Sequence, residues 1–92
     1  MKNEIDSKTL LLVYEHIQLH GELVDEGKML NGVTAFSDFD GYTVYLKTNG
    51  AQLRFGFHNT YHLDYEKEDQ KTVFMDAINR IKDIALNEQS QM

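Results

Sequence analysis

The four histidines fall into two pairs, each four residues apart: His16 with His20, and His58 with His62. Imidazole carries protons near neutral pH and ligates divalent metals, so the local conformation decides which chemistry either pair can do. The chain has no cysteine, which removes thiolate ligands, disulfides and cysteine nucleophiles and leaves His, Asp and Glu to hold a metal of the zinc class. Such a site needs three or four donors converging to about 2.0–2.2 Å on one ion.

The second pair lies in the stretch Phe55 to Tyr65, "FGFHNTYHLDY". Four residues of strand span about 13 Å, too far for two imidazoles to share an ion. Leu53, Phe55, Phe57, Tyr61 and Leu63 share odd parity, so a period of two survives across Asn59-Thr60. His58, His62 and Asp64 are therefore expected along the polar side of one extended segment, or of a strand, kink and short strand. A tight turn at Asn59-Thr60 would instead bring His58 and His62 together. The first pair differs: four residues of helix put His16 and His20 on one face, about 5–6 Å apart at Cβ, a workable chelate. No third ligand follows locally, so one would have to come from the loop, the second helix or another chain. The ordinary reading is boundary histidines with one ring nitrogen hydrogen-bonded. No metal site or cofactor is assigned, and the candidate ligands are His16, His20, His58, His62 and Asp64.

Other chemistry is thin. Asp38 and Asp40 flank Phe39 before Gly41, which suits an Asx-shaped turn and lacks the oxygen spacing of a calcium loop. Ser7 reads as a helix cap, Ser90 lies in the tail, and Ser37 is not on a nucleophile elbow. No glycine-rich phosphate loop occurs. No catalytic residue is named, and the expectation is a protein that is not an enzyme.

The elements that must position these groups are legible from period and punctuation. Residues 6 to 20 read as a helix, with Asp6 or Ser7 as N-cap, Gly21 as the stop, and Leu10, Val13, Tyr14 and Ile17 as its core stripe. Residues 21 to 32 read as a surface loop. The middle reads as a three-stranded meander. A strand at 33 to 37 leads through Asp38 to Gly41 into a hairpin closed by a type I′ turn at Asn49-Gly50. That turn pairs Leu46 with Leu53, Val44 with Phe55 and Tyr42 with Phe57 on the core face, and Tyr45 with Arg54 on the other. A three-residue loop with Gly41 left-handed would place Phe36 opposite Val44, inside the core. From about 67 to 86 a second helix presents Val73, Phe74, Ala77, Ile78, Ile81, Ile84 and Ala85 over an arc of roughly 140°. The tail, 87–92, is expected to fray. The expected fold is a single α+β domain over 1–92 in the order α-β-β-β-α, a three-stranded antiparallel meander packed by two helices.

Two surfaces could meet a partner. Leu12, His16, Leu19 and Leu23 follow a coiled-coil-like 4-3-4 spacing, beside the stripe that faces the sheet. Either the second helix covers this seam or a second copy does, as a homodimer; protonation of an interfacial His16 in acid would then weaken association. The outer sheet face offers Tyr45 and Arg54, both favoured interface anchors. A net charge of −6 repels phosphate, which counts against nucleic acid and anionic membranes. The chain has no apolar run that could span a bilayer and no signal-peptide core at its start, so the expected location is the cytoplasm. The element order is similar to that of double-stranded RNA-binding domains, but the place of their basic cluster reads "DYEKEDQK", predominantly acidic. These observations favour a non-enzymatic interaction or regulatory module that self-associates. The alternatives are a histidine-based divalent-metal binder and, against the charge, an RNA-binding domain.

The strings "GVTAFSDFDGYTVYL" and "GFHNTYHLDY" resemble those of a family of small gammaproteobacterial proteins, a domain of unknown function of about this length. The similarity runs from "SKTLLLVYEHI" to the second helix. It implies a bacterial, cytoplasmic context and transfers no functional residue.

Overall fold

The computed structural model describes residues 6–56 and 61–90, the last two by backbone alone. Helix α1 (Ser7–His20) starts at Asp6, whose carboxylate accepts from the Lys8 N–H at 3.3 Å, and stops at Gly21, whose N–H donates to the Ile17 carbonyl at 2.7 Å. Six strands follow: β1 (Glu22–Leu23), β2 (Lys28–Leu30), β3 (Val33–Ser37), β4 (Val44–Thr48), β5 (Ala51–Phe55) and β6 (Tyr61–Tyr65). They form one antiparallel sheet in chain order, and α2 (Glu68–Ser90) closes the fold.

The α+β class is as expected, but the three-stranded meander is only half of the sheet. Residues 21–32 are a hairpin rather than a surface loop. Asn31 and Gly32 both have positive φ, 52° and 82°, the mark of a type I′ turn, and Leu30 pairs directly with Val33. The expected I′ turn at Asn49-Gly50 keeps its two-residue length, with Thr48 opposite Ala51, yet only Gly50 is left-handed (φ 92°). Type I′ needs positive φ at both positions, so this turn is of another class. At the other end the chain reverses between Phe55 and Tyr61, and β6 returns along β5 with Leu53 opposite Leu63 and Arg54 opposite His62. Phe55 and Tyr61 therefore stand opposite each other on paired strands rather than in line along one, while Asn59-Thr60, where a turn was considered, lies outside the described residues. Facing survived because this register pairs odd with odd residues, leaving Leu63 on the helix side and His62 with Asp64 on the other.

The pairs Leu46 with Leu53, Val44 with Phe55 and Tyr45 with Arg54 form as expected. Phe36 does not enter the core. Gly41 is left-handed (φ 78°), but the β3–β4 loop is longer than three residues: Asp38 N–H donates to the Thr43 carbonyl, and Ser37 rather than Phe36 faces Val44. A one-residue shift sends Phe36 to the outer face opposite Tyr45. Tyr42, expected in the core opposite Phe57, precedes β4 and is 66% exposed; Phe57 lies outside the described residues.

Both helices pack on one face. α1 lies over β2 and β3, α2 over β5 and β6, and the helices touch each other. Leu10, Val13 and Ile17 meet Val33, Ala35, Leu46 and Leu53 under Phe74, Ile78 and Ile81 in one apolar cluster. Val73 and Ile84 stay exposed, because sheet and neighbouring helix together subtend less than the arc the sequence offers.

Candidate sites on helix 1 and on the open sheet face

α1 and α2 meet at their last turns. His16 and His20 stand one turn apart on α1 with ring centroids 4.5 Å apart at 43°. Between them reaches Glu88 of α2, its Oε1 3.5 Å from His20 Nε2 and 3.9 Å from His16 Nδ1. The donor atoms of the three residues all lie within 4.8 Å of one another. His16 is 7% exposed, whereas about half of the side chains of His20 and Glu88 face water. Leu12, Glu15, Leu19 and Ala85 complete a notch of about 260 Å³ around them. The third donor thus comes from the second helix, one of the sources the spacing left open. Glu88 lies in the tail stretch 87–92, of which residues 87–90 belong to the last turn of α2 and 91–92 lie outside the described residues. Extending the helical period past Ala85 would have put Glu88 on the same face, but nothing local says which helix that face meets.

The leucine seam divides. α2 covers His16 and half-buries Leu12, while Leu19 and Leu23 remain 78% and 80% exposed. α1 ends at His20, so Leu23 lies on edge strand β1 and the four residues are not one helical stripe. His16 is buried against α2, with Glu88 as its neighbour.

The opposite face of the sheet carries Thr34, Phe36, Tyr45, Lys47, Gln52, Arg54, His62 and Asp64, and none of these is buried. Phe36 and Tyr45 stack with centroids 4.8 Å apart and planes within 8°. Beside them stands Arg54, exposed and without an ion-pair partner among the described residues. His62 Nε2 lies 3.0 Å from Asp64 Oδ1, a two-donor pair in water. His58 lies outside the described residues, so its pairing with His62 has no structural account. At the β3–β4 tip Phe39 is fully exposed. Parity missed Phe36 as a surface aromatic because loop length, not composition, set the register.

The family model described as "Protein of unknown function (DUF3081)" matches residues 5–89. The chain belongs to this family. The match covers α1, every strand and all but the last residue of α2, so notch and open face alike fall within the family domain. No curated protein and no solved structure matches the chain. No helix among the described residues is long and apolar enough to cross a membrane.

Proposed function

We propose that the protein is a non-enzymatic interaction module that pairs with a second copy of itself across the open sheet face. The observation that carries this reading is the partly exposed Phe36–Tyr45 stack on the open face, beside an Arg54 that has no ion-pair partner among the described residues. Aromatic and arginine side chains dominate interface energetics, and a stack left only partly buried forgoes some of the apolar burial that both helices give the other face. A two-fold interface must be self-complementary. Arg54 on β5 and Asp64 on β6 supply both signs on one patch, so each copy offers the other an opposite charge beside its aromatics. The bacterial cytoplasm implied by the family resemblance is part of this proposal.

Sedimentation equilibrium tests it. The expected result is a dimer at twice the 10.7 kDa chain mass, shifted toward monomer by Tyr45→Ala and by Arg54→Glu. A single-chain mass at every reachable concentration would overturn it. A second reading places the pairing at the α1 corner, favoured by exposed Leu19 and Leu23 on the helix side of the sheet edge. Dissociation by Leu19→Lys with Leu23→Lys, and not by the sheet-face variants, would decide for that corner.

A further inference from the structure

We infer that His16, His20 and Glu88 form a binding site for a divalent metal of the zinc class. Tetrahedral bonds of about 2.0–2.2 Å set neighbouring donors about 3.3–3.6 Å apart. Glu88 Oε1 already stands 3.5 Å from His20 Nε2 and 3.9 Å from His16 Nδ1, and the whole set fits within 4.8 Å. Hydrogen bonds between such groups run at about 2.7–3.2 Å, so Glu88 and His20 stand at cation width rather than at contact, while the distances to His16 are wider and must close. Closure asks little, because Glu88 and His20 are half-exposed and free to swing while buried His16 fixes one vertex.

Two imidazoles and one carboxylate select zinc and its neighbours among transition metals over magnesium or calcium, which require oxygen donors throughout. The three ligands leave a fourth position, which opens into the notch beside Leu12 and Leu19 and would hold water or a small exogenous donor. Among the described residues, His62 and Asp64 make another close histidine–carboxylate contact, with no third donor beside it. Because the ligands sit near the ends of α1 and α2, a bound ion would tie the helix ends together beyond the last buried apolar side chains there, Ile17 and Ala85.

The test is cobalt and zinc titration of chelator-treated protein, followed by the visible d–d bands of cobalt and by calorimetry for zinc. One equivalent is expected to bind, and millimolar magnesium should not displace it. His20→Ala and Glu88→Gln, both at half-exposed side chains, should each weaken uptake at least about tenfold with an unchanged circular dichroism spectrum, while His62→Ala leaves it intact. Absence of stoichiometric uptake would overturn the inference. So would binding that survives both variants, or binding lost only with His62→Ala.

Discussion

Gly27 sits where the turn between β1 and β2 meets β3. A Cβ built there would stand 2.4 Å from the Ala35 carbonyl oxygen and 2.9 Å from the Phe36 Cβ. The nearer obstacle is backbone inside a ladder, which cannot swing aside as a side-chain tip can. Gly27→Ala should therefore destabilise the fold by about 1–3 kcal/mol, read from the urea midpoint; an unshifted midpoint would mean the turn relaxes freely. Other single-residue roles were legible from the chain alone. Asp6 caps α1, and Asp38 accepts from the Gly41 and Thr43 N–H groups at 2.9 and 3.4 Å, the Asx role its place before Gly41 suggested. Both are bonds between near neighbours in sequence, which is why type and position sufficed. Gly27 reads locally as one more loop glycine, because the strand that crowds it begins six residues later.

At the scale of elements, helix positions and the facing of the central hairpin followed from hydrophobic period, but the register and facing of β3 did not. Phe36 is apolar, aromatic and in a strand, and still lies outside because six residues rather than three join Ser37 to Val44. Truncation separates the two registers. Phe36→Ala should cost clearly less than Phe74→Ala: about 0.5–1.5 kcal/mol for the aromatic pair plus a partial burial term, against about 3–5 kcal/mol for the fully buried Phe74 of α2. Equal losses in thermal or urea unfolding would place Phe36 in the core and refute the register. The same competition explains the extra hairpin. "GELVDEGKMLNG" is too polar to show strand period, yet Asn31-Gly32 folds it against β3, where the ladder satisfies its backbone.

At the scale of the molecule, two copies that each carry −6 repel at long range. If the aromatic stack carries pairing, raising salt from about 0.01 M to about 0.15 M should tighten the dimer by screening that repulsion. Weaker association on adding salt would instead give the pairing to its ion pairs, and retention of RNA on a filter at low salt would turn the reading toward nucleic acid. What the sequence by itself determined was whatever is encoded within a few residues: the α+β class, both helices, the central hairpin with its facing, the caps, and the exclusion of thiol chemistry. Only the tertiary structure decided that the sheet has six strands, that Phe36 and Tyr45 stack on an open face, and that Glu88 lies between His16 and His20. The physical reason is sequence distance. Period and turn chemistry act over one or two turns of chain, whereas Glu88 and His20 meet only because two helices, separated by the whole sheet, bury their apolar faces side by side.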